Sequence, residues 1–172
     1  SLDPPKIPNR VPRMVGRSDL DHLLGEWTDD APDLRRAIAL GAYGGLRVSE
    51  CATLDWSDVD EEARRMFVRG KGQKERPVAL SPVLLDYLLP RTGGNVVAAG
   101  GAPYSPATLQ RKVNRLFERR GMERRFHDLR KRGASIALSK GASPAAVRIM
   151  FGWSSMETVS HYAVVGDSEL DR

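Results

Sequence analysis

The sequence predicts an α+β fold that is mainly α, with a small three-stranded antiparallel sheet beside the helices. Three observations carry this. Apolar residues recur at helical spacing through most of the chain, as in Leu109, Val113, Leu116 and Phe117. Three segments open with Ser-Pro, at Ser81-Pro82, Ser105-Pro106 and Ser143-Pro144, a good N-cap before a good first helical residue. Between Arg64 and Leu80 the period changes to that of strands, around the turn Gly70-Lys71-Gly72-Gln73.

In chain order, residues 1–17 are proline-rich and basic and read as a linker or arm from an N-terminal domain. Residues 18–172 read as one domain. Ser18 with Asp21 resembles a capping pair that opens a short helix to about Trp27. A buried helix over Asp33–Tyr43 ends at Gly44-Gly45, and a short helix covers Val48–Thr53. Arg64–Arg69 and Arg76–Leu80 form the hairpin, with Leu54–Trp56 as the third strand. Thr92–Pro103, rich in Gly and Ala, reads as a mobile loop. The helix after Ser105 carries Arg111, Lys112, Arg115 and Arg119 opposite its apolar stripe. The next has a stripe of Leu129, Gly133, Ile136 and Ala137 and closes at Gly141. Ser154 with Glu157 caps a last helix, where Val159, Tyr162 and Ala163 share related faces.

At 172 residues, 41% hydrophobic and 28% charged, the chain has the composition of one globular domain. No apolar run reaches membrane-spanning length, and no signal-peptide core is present. A single cysteine, Cys51, excludes an internal disulfide, and one Cys with three His excludes zinc-finger spacing. The expectation is a cytoplasmic protein that needs no metal and no cofactor. The net charge of +5 is unevenly spread. Residues 18–34 hold six acids and no Lys or Arg, whereas residues 106–148 hold twelve basic residues against Glu118, Glu123 and Asp128. A chain polarised this way meets a polyanion, and its preference for Arg over Lys suits bidentate phosphate contact.

Singly, the polar residues have bland readings. Arg47 could merely pair with Glu50, Lys71 could sit in solvent at a hairpin tip, and Trp153 and Tyr162 could be core. Together they form an ordered set. Gly45-Leu46-Arg47-Val48-Ser49-Glu50 resembles the first arginine motif of the tyrosine recombinases, the phage-integrase family. Arg69-Gly70-Lys71-Gly72-Gln73-Lys74-Glu75-Arg76 resembles that family's hairpin with its lysine. His127-Asp128-Leu129-Arg130 resembles its His-x-x-Arg motif, and Phe151-Gly152-Trp153 its Leu-Gly-His segment. Tyr162 stands where the family places its nucleophile, and the intervals between motifs agree.

The resemblance implies the fold of DNA breaking-rejoining enzymes. It also implies site-specific cleavage and rejoining of double-stranded DNA through a covalent 3′-phosphotyrosine. The implied catalytic set is Arg47, Lys71, His127, Arg130, Trp153 and Tyr162, with Glu50 orienting Arg47 or His127. Arg69, Lys74, Arg76, Arg111, Lys112, Arg115, Lys131 and Arg132 are candidates for DNA contact. A homotetramer on two duplexes is implied for the intact protein, and a monomer for the isolated domain. The chemistry fits these residue types. Attack on a phosphodiester builds negative charge, and two guanidinium forks can balance it without metal. The chain departs from the family in carrying Trp153 where His is common and Lys131-Arg132 where His-Ser often follows. The family's N-terminal clamping domain is expected to lie outside these 172 residues. Two other readings stay open: a type IB topoisomerase-like nicking-closing enzyme, and a non-catalytic helical DNA-binding regulator.

Overall fold

The computed structural model describes residues 15–25, 31–70, 72, 74–153 and 159. Helix α1 (Arg17–Gly25) buries Leu20, Leu23 and Leu24. It opens two residues earlier than expected, so Ser18 lies inside its first turn and is not its cap. Helix α2 (Pro32–Gly44) is apolar on nearly every side, with Leu34, Ala37, Ile38, Ala39, Leu40 and Ala42 buried. A helix apolar all round must be surrounded. Around it pack α4 (Pro82–Leu88), α5 (Pro106–Arg119) and, over the longest contact, α6 (Phe126–Ser139). Helix α3 (Val48–Thr53) follows α2 after a three-residue corner, and α7 (Pro144–Met150) packs on α6. Among the described residues no helix is long and apolar enough to cross a membrane.

The three Ser-Pro boundaries are observed as read. Ser81, Ser105 and Ser143 accept from the backbone N–H groups of Leu84, Thr108 and Ala146 at 3.2, 3.2 and 3.1 Å. In α5 the stripe Leu109, Val113, Leu116 and Phe117 is buried. Helix α6 buries a wider face than its expected stripe, because α2 covers one side and α7 another. Its inner residues include Phe126, Asp128, Leu129, Arg130, Arg132, Ala134 and Ser135, while Ile136 and Ala137 are only half-buried.

The sheet is β1 (Val59–Asp60), β2 (Arg65–Arg69) and β3 (Glu75–Ala79), antiparallel in the order β1-β2-β3. Met66 pairs with Val59 on one side and Val78 on the other, so these three form an apolar row against the helices. The third strand is thus Val59–Asp60 and not Leu54–Trp56. Asp55 starts a 3-10 turn over Trp56–Asp58 instead, its carboxylate accepting from the Ser57 N–H at 2.9 Å. Leu54 and Trp56 pair with residues 94–96.

That pairing also overturns the expected mobile loop. Val96 and Val97 are fully buried, and β4 (Ala98–Ala99) pairs with β5 (Ala102–Pro103). Arg36 donates to the Pro90 and Val96 carbonyls at 2.7 and 3.3 Å. An apolar pair inside and a guanidinium on the loop carbonyls outweigh the glycine content of the segment.

A second, smaller cluster of Ala134, Val147, Phe151, Trp153 and Val159 lies apart from the main core. It meets the rest at Gly45, which ends α2 in the left-handed region with φ 68°. A Cβ there would lie 2.1 Å from the Phe151 ring. Gly45→Ala should therefore lose about 3 kcal/mol in urea unfolding, from backbone strain and overpacking together. Gly45→Ala with Phe151→Leu should recover part of the loss.

Candidate functional site

The corner between α2 and α3 positions the first arginine. Arg47 precedes α3, and Glu50 reaches back from the first turn to accept the Arg47 backbone N–H at 2.7 Å. The Arg47 Nη1–H donates to Glu50 Oε1 at 3.1 Å, and its Nη2–H to the Gly152 carbonyl at 2.8 Å. The second arginine comes from the first turns of α6. Arg130 is 2% exposed and donates from Nε to the Gly45 carbonyl at 2.6 Å and from Nη2 to the Phe151 carbonyl at 2.5 Å. Arg76 donates from Nε to the Met150 carbonyl at 2.7 Å. Three successive carbonyls at the end of α7 are thus each taken by a guanidinium from a different element.

The α7 terminus is shaped for this. Gly152, at φ 64°, closes a Schellman turn in which the Trp153 N–H reaches the Arg148 carbonyl at 2.9 Å and the Gly152 N–H the Ile149 carbonyl at 3.1 Å. That leaves the Met150, Phe151 and Gly152 carbonyls for the arginines, and a helix C-terminus favours cations. A Cβ on Gly152 would sit 3.1 Å from Arg47 Nη1. Trp153 tilts against Phe151 with ring centroids 5.4 Å apart, and the Arg130 guanidinium lies 5.9 Å from its ring.

The charges perturb one another. Burial and the Arg47 charge push the Arg130 guanidinium down to about 10, which leaves it charged at neutral pH. Desolvation, Arg130 and Lys131 hold His127 below the ordinary imidazole range, so it is neutral there. Burial alone would raise the Glu50 carboxyl. The Arg76 fork and the Arg47 N–H outweigh that and hold it below the usual carboxylate range.

Two clefts meet at Arg47. One of about 240 Å³ is lined by Arg47, Val48, Ser49, Gln110, Phe126, His127 and Arg130. The other, about 1260 Å³, carries Arg69, Gly70, Lys74, Arg148 and Trp153 along its walls with Arg47. Arg47, His127 and Arg130 therefore share the smaller cleft, which can cradle an anion of phosphate size, while Trp153 lines the larger one beside Arg47. Lys71 and Tyr162 lie outside the described residues. Near Lys71 the described Gly70 and Lys74 line the larger cleft, and Val159, three residues before Tyr162, is buried in the cluster that holds Trp153.

The candidate DNA contacts divide. Arg111, Lys112 and Arg115 are exposed on α5, and Arg111 and Arg115 line a further groove with Gln110 and Asn114. Arg69 is exposed and pairs with Glu75 and Asp58 at 3.0 and 3.5 Å, and Lys74 is exposed. Lys131 is half-buried and pairs with Asp128 at 3.1 Å. Two expectations are corrected. Arg76 shares the core side of β3 with Val78 and spends its guanidinium on Glu50 and Met150. Arg132 lies on the inner face of α6 and donates to the Val15 carbonyl at 3.2 Å. Both are buried, so neither presents its charge as a surface phosphate contact.

Sequence reasoning missed Ser49, which lines both clefts, Gln110, which lines two, and Arg148 on α7. The polar face of α5 held the signal for Gln110. Among the described residues no group of three or more His, Cys, Asp or Glu is placed to hold a metal ion.

Glu50→Gln leaves the buried Arg76 and the half-buried Arg47 without their carboxylate and should cost about 3 kcal/mol. Because the Glu50 pKa is lowered on folding, its contribution is present above the unfolded carboxyl range and is lost as pH falls through the folded value. The gap between wild type and Glu50→Gln, followed by urea unfolding from pH 7 to pH 3, should accordingly narrow toward the acid end.

The sequence pattern of the phage integrase family matches residues 18–169. The tyrosine recombinase XerC of Corynebacterium efficiens is 32% identical over 181 residues, covering 96% of this chain and 58% of that protein. The chain thus spans little more than half the length of that curated relative. The crystal structure of XerA recombinase superposes with a TM-score of 0.77 at 23% identity, covering 98% of this chain and 64% of that one. A lambda integrase dimer bound to a COC′ core site superposes with a TM-score of 0.70 at 19% identity, covering 87% and 47%. A family pattern over nearly the whole chain, with its arginine and histidine motifs gathered at one cleft, places this protein among the phage integrases, the tyrosine recombinase family.

Proposed function

We propose that this chain is the catalytic domain of a site-specific recombinase that cuts and rejoins double-stranded DNA through a covalent 3′-phosphotyrosine. The observation that carries the reading is the convergence of Arg47, Arg130 and neutral His127 on one small cleft bordered by the exposed cations of α5. In this reading the cleft takes the scissile phosphodiester, with Arg47 and Arg130 opposing charge on its non-bridging oxygens. Trp153 lends its indole N–H and shape.

Tyr162 Oη bonds to phosphorus while the bond from phosphorus to the 5′-oxygen breaks. Free phenolate at pH 7 costs about 4 kcal/mol, so the phenol proton passes to His127 as attack proceeds. Lys71 gives a proton to the leaving 5′-oxygen. Reversal of the same steps with a different 5′-hydroxyl rejoins the strand, and the ester retains the bond energy, so no ATP is consumed. Arg69, Lys74, Arg111, Lys112 and Arg115 contact backbone phosphate and make binding salt-dependent. The complete protein works as a homotetramer on two duplexes in the cytoplasm of a bacterial or phage-infected cell. It integrates or excises phage or mobile-element DNA. Support for a DNA partner comes from the lambda integrase structure, whose superposed fold is on DNA.

The test is covalent capture. The complete protein is incubated with a library of nicked duplexes, denatured, and retained on a filter with any attached DNA. Wild type should retain 3′-linked strands of one sequence, and Tyr162→Phe none. Retention by Tyr162→Phe would remove the nucleophile, and exchange between two captured duplexes separates recombination from nicking and closing.

A second test is the pH profile of single-turnover cleavage. Neutral His127 is the proton acceptor, and its pKa is lowered from 6.5. The acid limb should therefore lie below pH 6.5 and flatten in His127→Asn. A limb unchanged by that substitution would assign the proton to another group.

A further inference from the structure

We propose that Arg76 is a positioning residue for Arg47, acting through the carboxylate they share. The inference rests on the reading of Arg47 as a phosphate-binding group. Arg76 lies on the buried face of β3, and its Nη1–H and Nη2–H donate to Glu50 Oε1 and Oε2 at 2.7 and 2.9 Å. This is a fork on a carboxylate, the strong geometry for such a pair. The Glu50 side chain is 2% exposed and that of Arg76 10%. Arg47 reaches the same Oε1 from its Nη1 at the longer 3.1 Å, with 36% of its side chain exposed.

The two distances divide the work. Arg76 is the main counter-ion of Glu50. Arg47 is oriented by that carboxylate without being neutralised by it, and keeps its charge for an anion in the cleft. Without the Arg76 fork, Glu50 would face Arg47 as its nearest cation and draw it down from the cleft. The third donor of Arg76, Nε–H, holds the Met150 carbonyl, two residues before the Gly152 carbonyl that takes Arg47 Nη2–H. One guanidinium therefore sets both supports of Arg47: the carboxylate and the α7 turn. Lysine cannot replace it, because one ammonium cannot span two carboxylate oxygens and a carbonyl in this planar arrangement.

The experiment uses the complete protein and the duplex recovered by covalent capture. Arg76→Lys and Arg47→Ala are compared with wild type in single-turnover cleavage. Two substrates are used: the natural phosphodiester and one whose scissile phosphate bears a methyl group in place of a non-bridging oxygen. The methyl group removes the negative charge that Arg47 opposes. Arg76→Lys should cleave the phosphodiester about 100-fold more slowly, the scale of a misplaced catalytic group. Its deficit should shrink to less than about tenfold on the uncharged substrate, in parallel with Arg47→Ala, because both variants lose the same charge-balancing contact. Affinity for DNA and its salt dependence should stay at wild-type values.

Equal loss on both substrates would overturn the proposal and mark Arg76 as support for the fold alone. Weakened DNA binding with a shallower salt slope would overturn it in favour of direct phosphate contact. If Arg47→Ala cleaves at the wild-type rate, the reading of Arg47 itself fails. If Arg47→Ala is crippled and Arg76→Lys is not, only the positioning role falls. Should Arg76→Lys fold poorly, Glu50→Leu with Arg76→Leu exchanges the buried pair for apolar bulk, a replacement proteins tolerate. That variant should fold and still cleave slowly on the charged substrate, and wild-type cleavage by it would end the proposal.

Discussion

Three consecutive carbonyls at the end of α7 hold this site together. Met150, Phe151 and Gly152 accept from Arg76, Arg130 and Arg47, which come from the sheet, from α6 and from the α2–α3 corner. The last carbonyls of any helix lack partners within it, and they carry the negative end of its dipole. Here the missing partners are supplied by guanidiniums, two of which, Arg76 and Arg130, are buried and would otherwise be poorly solvated cations. The helix terminus and the arginines satisfy one another, and in doing so they lock four parts of the chain around one point.

That arrangement is electrostatically unfinished. Among the described residues one carboxylate, Glu50, sits among three guanidiniums, and neutral His127 adds no negative charge. Burial first, and the Arg47 charge after it, lower the pKa of the Arg130 guanidinium. A cluster of this kind is held by its hydrogen bonds and its packing, against its own charge. Such a cluster gains most when an anion enters it. Functional sites commonly hold such tension, and the surrounding structure supplies the stability to keep it.

Packing determines where the tension is held. The main core surrounds α2, while Phe151, Trp153, Val147, Ala134 and Val159 form a smaller cluster of their own. The arginines lie along the seam between the two. Gly45 and Gly133 let the Phe151 ring approach the α2 terminus and α6, which brings the α7 carbonyls within reach of side chains from three directions. Outside the seam, α5 turns its apolar stripe inward and leaves Arg111, Lys112 and Arg115 on the surface, next to the cleft that holds His127.

Much of this was legible without coordinates. Local chemistry determined the Ser-Pro helix starts, the end of α2 at Gly44-Gly45 and the hairpin around Gly70-Lys71, because caps, turns and periodicity act over a few residues. The ordered motifs from Arg47 to Trp153 named most of a site, since a family's chemistry constrains residue types at set intervals. The same local reading failed wherever a distant partner decided the outcome. The third strand became a 3-10 turn under Asp55, and the glycine-rich segment after Thr92 was pinned by Arg36 and two buried valines. Arg76 and Arg132 counted as basic surface by composition, yet only burial separates a cation offered to DNA from one spent on a carboxylate or a carbonyl. The two-residue spacing of Arg76 from Val78 hinted at its inward face, but the partner it finds there, Glu50, lies on another element. Charge and period are properties of the chain, whereas which charges meet, and which remain for a substrate, depends on contacts between residues far apart in it.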